Sequence, residues 1–137
     1  MAGGNSAVAL SRQVQRLASL PILTVLATKR DDGSIQLNPI WFLLQDGYFI
    51  VNSNTRRRWP KNLQRDREAT LLLVDPEEPE RYAQIRGRLA EVIPDPDVAV
   101  INRLAQRYTG KKFRDLEPEE ERLTFKIEPL KVTGQMI

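Results

Sequence analysis

The sequence predicts a mainly β domain in which an antiparallel sheet curls into a compact barrel. Short apolar runs rich in β-branched residues are joined by Asp-Gly turns at residues 32–33 and 46–47, which favour β-hairpins. The strand-helix alternation that a parallel sheet requires is missing, and the seven glycines never form a GxGxxG motif. A chain of 137 residues has room for one such domain.

The first elements are a short helix and three strands. Ser11 is a suitable N-cap for an amphipathic helix in SRQVQRLASL, and Pro21 ends that helix. The strands are predicted over residues 22–29, 35–44 and 48–53. The two Asp-Gly turns make these strands a three-stranded antiparallel meander.

The middle of the chain predicts one or two helical turns and two more strands. The helical turns are expected over residues 60–65, and the strands over residues 69–75 and 81–93. Gly87 interrupts the second of these strands, which indicates a bulge or a close approach by another segment.

The clearest helix follows this strand. Asp95 is its predicted cap, Pro96 fits its first position, and Gly110 follows its end. One face of this helix is apolar, with Val98, Ile101, Leu104, Ala105 and Tyr108. Two short runs, LTFKI and KVTG, close the sheet and bring the count to six or seven strands.

The composition excludes several kinds of chemistry. The chain contains no Cys and no His, so it has no disulfide, no Cys or His zinc ligand and no imidazole-activated nucleophile. If the protein is an enzyme, we expect a bound cofactor to carry the chemistry. The N-terminus has no apolar core long enough for a signal peptide, and no later stretch is long enough to span a membrane. A cytoplasmic protein is therefore expected.

A basic junction, NSNTRRRWPKNLQRD at residues 52–66, raises the question of an anionic partner. The free N–H groups at a helix start, together with Arg56, Arg57, Arg58 and Lys61, would suit a phosphate group. A solvated turn explains the same pattern equally well. Nucleic acid is disfavoured as the partner, because the net charge is only +3 and acidic loops are abundant.

Three other features of the sequence allow both a structural and a functional interpretation. Trp59 either covers the rim of the core or stacks on a planar ligand. Pro39, beside Asn38, places its strand at a sheet edge or next to a flat ring that hydrogen-bonds to the backbone. Alternation puts Arg86 and Arg88 on one strand face, where they need solvent, an acidic group or an anionic ligand.

Taken in order, these segments resemble the pyridoxamine 5′-phosphate oxidase-like split-barrel family, and within it the branch of deazaflavin- and flavin-dependent oxidoreductases. The resemblance is carried by VLATKRDDGSIQLNPIWF, YFIVNS, KNLQRDREATLLLVD, YAQIRGRLAEV and RYTG, from about residue 20 to residue 134. It implies an antiparallel six-stranded split β-barrel of the FMN-binding type, which we expect over residues 11–137. Residues 1–10 are expected to be a disordered N-terminus. It also implies a homodimer with two cofactor sites between the protomers.

The resemblance further implies FMN or coenzyme F420 as the cofactor, with its phosphate at the basic turn. The implied cofactor-binding residues fall into four groups. Gln36, Asn38, Pro39 and Trp41 lie along the ring system, Asn52 and Ser53 near the ribityl chain, Arg57, Arg58, Lys61 and Asn62 at the phosphate, and Arg86 towards the partner. Trp59, also placed at this site, is a departure, because family members commonly have Lys at this position.

The implied activity is hydride transfer between the cofactor and a small organic substrate, with a reductase favoured over an oxidase. No catalytic residue is assigned, and the proton could come from solvent, Tyr82, Tyr108 or the cofactor. The alternative is a non-catalytic F420 or FMN carrier or storage protein with the same fold.

Overall fold

The computed structural model describes residues 8–135, which form three helices and seven strands. In chain order they are α1 (Arg12–Ala18), β1 (Thr24–Lys29), β2 (Ile35–Ile40), β3 (Leu43–Gln45), β4 (Tyr48–Asn54), α2 (Arg58–Asp66), β5 (Glu68–Val74), β6 (Tyr82–Pro94), α3 (Ala99–Thr109) and β7 (Arg122–Gln135). The N-terminus predicted to be disordered lies outside the described residues, except for residues 8–10.

All seven strands belong to one antiparallel sheet with the order β2-β1-β5-β6-β7-β4-β3. The mainly β, antiparallel prediction is confirmed, but the six-stranded barrel is wrong, because the sheet has seven strands and is not closed. The strand predicted over residues 35–44 is broken at Trp41 and Phe42. Its first part pairs with β1 and its second part with β4, so the two halves form opposite edges of the sheet.

Two other strand predictions change for related reasons. The three-stranded meander is split, because β4 pairs with the short β3 on one side and with β7 on the other. The two closing runs are one continuous strand, β7, which pairs with β6 (Tyr82–Pro94) along one side and, over its first six residues, with β4 along the other. The long β6–β7 ladder is therefore the backbone connection between the two sides of the sheet.

The helices follow their predicted caps more closely than their predicted first residues. The Oγ of Ser11 accepts a hydrogen bond from the N–H of Val14 at 3.2 Å, as expected of the α1 cap. Helix α3 begins at Ala99 rather than at Pro96, because Val98 has a left-handed φ of 53°. Asp95 nevertheless serves this helix, since its two carboxylate oxygens accept from the N–H groups of residues 100 and 101 at 3.1 and 3.0 Å.

The core divides into two clusters on either side of β3 and β4. The larger cluster fills the curled sheet and includes Phe42, Phe49 and Phe125, together with Trp59 from α2. The smaller one packs α3 on the outer face of these strands through Leu43, Ile50, Ile101 and Leu104. None of the helices within residues 8–135 is long and apolar enough to cross a membrane.

Gly87 occupies a point at which the β6–β7 register shifts, as the sequence predicted. A Cβ atom at this position would lie 2.5 Å from Cγ2 of Ile127 and 3.1 Å from the carbonyl oxygen of Glu128. The bulge and the close approach are therefore the same feature, and only glycine fits it without displacing β7.

We expect Gly87→Ala to lower the free energy of unfolding by about 1–3 kcal/mol, because the added methyl group overpacks the sheet against Ile127. Urea denaturation measures the change. Gln84→Ala is the matched control, since Gln84 is exposed on the same strand. A Gly87→Ala variant as stable as the wild type would contradict the close-packing explanation.

Candidate cofactor site

A cavity of about 400 Å³ opens beside the break between β2 and β3, where α2, α3 and the α3–β7 loop come together. Its apolar lining includes Leu23, Trp41, Ile101, Leu104 and Phe113. Its cationic lining consists of three arginines, Arg57, Arg114 and Arg122. The cavity therefore combines an aromatic and aliphatic surface with a concentration of positive charge.

The strand break is held open by two neighbouring side chains of α3. The hydroxyl of Tyr108 accepts from the N–H of Phe42 at 3.3 Å and donates to the carbonyl of Ile22 at 2.8 Å. The Nε of Arg107 donates to the Phe42 carbonyl at 2.9 Å. Both backbone groups of Phe42 thus have partners away from a strand ladder, which explains why the strand stops there.

Arg107 also ties the break to the end of α1. Its terminal nitrogens donate to the carbonyls of Ala18, Ser19 and Leu20 at 2.7–3.1 Å. These carbonyls lie at the C-terminal end of α1, where backbone acceptors have no partner within the helix. One guanidinium therefore fixes α1, α3 and the strand break relative to each other.

Trp41, in the break itself, forms a wall of the cavity. Its ring stacks on Tyr108, with centroids 5.5 Å apart and planes inclined by 14°. Because the Tyr108 hydroxyl is fixed by two hydrogen bonds, the stacking holds the half-buried indole in one orientation. Burial raises the pKa of Tyr108 above its ordinary value, so this phenol stays protonated at neutral pH.

The basic junction lies at the start of α2. Arg57 occupies the N-cap position, and no side chain caps the first turn of the helix. The Oδ1 of Asn54 instead organises the preceding turn, accepting from the N–H groups of Arg56 and Arg57 at 3.0 and 3.1 Å. Asn54 and Arg57 both line the cavity, so the uncapped helix start lies beside it. This is the arrangement that favours an anion.

A polar network around the buried carboxylate of Glu120 forms another part of the cavity wall. The carboxylate of Glu120 accepts from Arg114 at 2.8 and 3.1 Å and from Arg122 at 2.9 Å. Arg122 also donates to Oδ1 of Asn52 at 3.0 Å, and the amide group of Asn52 donates to Asp95 at 3.2 Å. The network connects the α3 cap to the α3–β7 loop and fixes Asn52 at the cavity.

Both guanidiniums of this network also contact the ring of Phe113. The Cζ atoms of Arg114 and Arg122 lie 4.7 and 4.8 Å from the centroid of Phe113. Such cation–π contacts stabilise the loop by about 0.5–2 kcal/mol each. The loop that carries Phe113 and Arg114 is therefore tied to the network by its side chains, although it contains no helix or strand.

Five of the residues predicted to bind a cofactor line this cavity. They are Pro39, Trp41, Asn52, Arg57 and Trp59. Pro39 lies on β2, which is an edge strand as the sequence allowed. Trp59 is only 1% exposed and packs on Phe125 with ring centroids 5.6 Å apart, so it is a core residue that contributes to the cavity floor.

The other predicted residues lie outside this lining. Asn62 is buried and donates to Thr28 and Gln36 at 3.2 and 3.1 Å, which anchors α2 to β1 and β2. Ser53 is buried, Asn38 is half-buried on β2, and Lys61 is exposed. Arg58 lies 3.9 Å from a carboxylate oxygen of Asp31, and Arg86 lines a separate cavity of about 140 Å³ with Lys29 and Thr70.

The sequence did not single out Leu23, Phe113, Arg114 or Arg122, which all line the cavity. These residues are up to 99 positions apart, between Leu23 and Arg122, and belong to no common motif. Only the pairing of β4 with β7 brings Asn52 opposite Thr124 and so brings the neighbouring Arg122 to the site. A sequence pattern therefore had no local signal for them.

The network around Glu120 gives the site a defined response to acid. The hydrogen bonds from Arg114 are the main cause that lowers the pKa of Glu120 from 4.5 to about 2, with further contributions from the Glu117 N–H and Arg122, while burial opposes the shift. Because the folded-state pKa lies below the unfolded value, the ionised carboxylate stabilises the fold above about pH 4.5. This stabilisation is lost as the pH falls towards 2.

We expect Glu120→Gln to destabilise the protein at pH 7 and to flatten its loss of stability between pH 5 and pH 2 by roughly 1–3 kcal/mol. Urea unfolding at several pH values measures this slope. Glu121→Gln is the matched control, because Glu121 is the exposed neighbour. If Glu120→Gln kept the wild-type slope, the carboxylate would not be the group responsible.

Comparison with known proteins identifies the relatives of this architecture. The sequence profile of the pyridoxamine 5′-phosphate oxidase family matches residues 10–136. An F420 reductase structure is 27% identical over 88% of this chain and 96% of its own, with a TM-score of 0.82. No curated protein matches the sequence significantly.

Two more distant structures share the fold. A conserved hypothetical protein of Mycobacterium tuberculosis is 21% identical over 92% of this chain and 84% of its own, with a TM-score of 0.71. General stress protein 26 of Bacillus anthracis is 18% identical over 88% of both chains, with a TM-score of 0.66. The match over nearly the whole chain, together with the shared fold, shows that this protein belongs to the pyridoxamine 5′-phosphate oxidase family.

Proposed function

We propose that the protein is an oxidoreductase that transfers hydride between bound F420 or FMN and a small organic substrate, acting as a reductase rather than an oxidase. At the level of the family, flavin- and deazaflavin-related oxidoreductases are the common theme. The observation that carries the proposal for this chain is the cavity, in which the aromatic surface of Trp41 and the basic start of α2 share one opening.

The cavity fits a cofactor of this kind in size and in charge. Its volume of about 400 Å³ lies within the range of about 300–1,000 Å³ typical of small-molecule sites. Arg57 is exposed beside an uncapped helix start, which supplies N–H donors and a favourable dipole for a phosphate group. The edge of β2 has backbone groups without a second ladder, and these suit the polar rim of a flat ring.

The bound cofactor would supply the hydride chemistry, and the chain would bind, orient and shield it. Arg57 and the first turn of α2 would hold the phosphate. Trp41, fixed by Tyr108, would limit the position of the ring, and Asn52, whose amide is used by Asp95 and Thr124, would hold Arg122 beside the cofactor. Gln36 and Asn62 would support the site from behind by joining β2 to α2.

The remaining predicted residues keep less direct roles in the proposal. Asn38 and Ser53 would adjust the strand ends near the cofactor, and Arg58 and Lys61 would add to the positive potential of the turn. Arg86 is exposed on the outer face of the sheet, and we assign it to contacts with a partner protomer.

The proton-donor hypotheses narrow as well. Neither Tyr82 nor Tyr108 lines the cavity, and Tyr108 already uses its proton to bind the Ile22 carbonyl. The ionisable side chains of the lining are the three arginines, which would stabilise developing negative charge and leave proton delivery to solvent.

A carrier or storage protein would use the same cavity. Reoxidation of the bound, reduced cofactor by an added organic acceptor separates the enzyme from the carrier.

We also infer a homodimer whose interface borders the cavity. Large apolar side chains are exposed on and beside the β2 edge of the sheet, with Leu23 71%, Leu37 64% and Ile35 54% accessible. Leu23 also lines the cavity, so covering this surface would enclose the site.

Leu37→Glu is expected to shift the protein from dimer to monomer, because a carboxylate would be buried in an apolar interface. Sedimentation equilibrium measures the mass. Glu77→Gln, in the exposed β5–β6 loop, is the control and is expected to remain dimeric. A wild-type protein that sedimented as a monomer at high micromolar concentration would contradict the inference.

Arg57→Ala is expected to weaken FMN or F420 binding about tenfold or more, because a charge-assisted hydrogen bond contributes about 1.5–3 kcal/mol. Fluorescence titration measures the affinity. Arg58→Ala is the comparison variant: it removes the same charge from the next residue, which pairs with Asp31 and does not line the cavity, so a clearly smaller loss is expected. Equal losses in the two variants would show that overall charge, rather than the position of Arg57, determines binding.

A further inference from the structure

The α3–β7 loop contributes a second arginine to the cavity, at a different part of the wall from Arg57. Arg114 lines the cavity, and its side chain is 47% exposed. The other cation of that wall, Arg122, is only 7% exposed and is held by Asn52 and Glu120. Of the two, Arg114 is therefore the one with freedom to turn towards a ligand.

The loop and the basic turn are adjacent in the fold. The N–H of Thr55 donates to the Glu121 carbonyl at 3.2 Å, and the guanidinium of Arg56 donates to the Pro118 carbonyl at 3.1 Å. The turn that presents Arg57 thus packs directly on the loop that presents Arg114. An anion at the start of α2 would therefore lie close to the α3–β7 loop as well as to the turn.

Arg114 can leave Glu120 without leaving a buried charge unpaired, and its other hydrogen bond, to the Asp115 carbonyl at 3.0 Å, lies within the same loop. Glu120 would keep Arg122 at 2.9 Å and the N–H of Glu117 at 2.8 Å. Both remaining groups are hydrogen-bond donors, so the ionised carboxylate would stay paired. A buried carboxylate without such donors would be strongly destabilising. The guanidinium of Arg114 also contacts Phe113, which lines the cavity, so this contact would keep the side chain at the cavity after it leaves Glu120.

We propose that Arg114 is a ligand-binding residue that exchanges Glu120 for the phosphate group of the bound cofactor. The anion site would then be built from two turns, with Arg57 contributed by the β4–α2 turn and Arg114 by the α3–β7 loop. This inference rests on the proposed function, since it requires a phosphate-bearing cofactor in the cavity. It adds a residue from a segment more than fifty positions away from the basic turn.

The test compares FMN with riboflavin, which has the same ring and ribityl chain but no phosphate; if the wild type binds F420 alone, F420 is compared in the same way with its phosphate-free deazaflavin and ribityl fragment. Fluorescence titrations are made on the wild type, on Arg114→Gln and on Lys112→Gln. Lys112→Gln is the matched control, because it removes one positive charge from the same loop. Lys112 lines a different surface depression from Arg114. We expect Arg114→Gln to weaken FMN binding about tenfold and riboflavin binding less than twofold, while Lys112→Gln changes neither.

Three outcomes would overturn the assignment of Arg114. Unchanged FMN affinity in Arg114→Gln would remove it from the site. Equal losses for FMN and riboflavin would show a role in shaping the cavity rather than in binding phosphate. Equal losses in Arg114→Gln and Lys112→Gln would reduce the effect to long-range charge. If the wild type bound neither flavin nor F420, the proposed function itself would fail, and this inference with it.

Discussion

The architecture depends on the contact between α3 and the strand break at Phe42. Arg107 and Tyr108 take both backbone groups of this residue out of the ladder and, through the same side chains, hold the segment between α1 and β1. Because β2 and β3 diverge there, one stretch of chain supplies both edges of the sheet. The cavity opens at this divergence, with the Trp41 indole fixed over it by Tyr108.

The charges around the cavity are arranged so that positive charge remains available at one place. Glu120 neutralises part of the charge of Arg114 and Arg122. Asp95 accepts hydrogen bonds from the start of α3. Arg57 has no such carboxylate partner among the ion pairs of residues 8–135 and stands beside an uncapped helix. The positive potential therefore concentrates at the start of α2, where a ligand phosphate can reach it.

Much of the fold could be predicted, because local chemistry decides it. Local sequence signals indicate a helix cap at Ser11, a bulge at Gly87 and a helix end at Gly110. The structure has each feature at that residue. The strand break could not be predicted, since it results from hydrogen bonds to Arg107 and Tyr108, about 65 positions away. A continuous apolar run has no sign of such distant partners.

The candidate site divides along the same line. Arg57 and Trp41 could be predicted because they belong to a basic turn and an unusual edge strand that are visible in the sequence. Arg122 reaches the cavity through the pairing of β4 with β7, and the loop residues Phe113 and Arg114 reach it through hydrogen bonds to Asn102 and Glu120. For Trp59 the sequence left two interpretations open, a place at the rim of the core or a stack on a ligand, and α2 buries it against Phe125.

The central claim is that this cavity binds a phosphate-bearing flavin or deazaflavin. Fluorescence titration of the purified protein with coenzyme F420 and, separately, with FMN tests it most directly. The account predicts saturable, stoichiometric binding of at least one of the two at micromolar concentration or tighter, and binding of F420 alone would favour the deazaflavin reductases. Absence of binding by both cofactors, in protein shown to be folded, would contradict the claim.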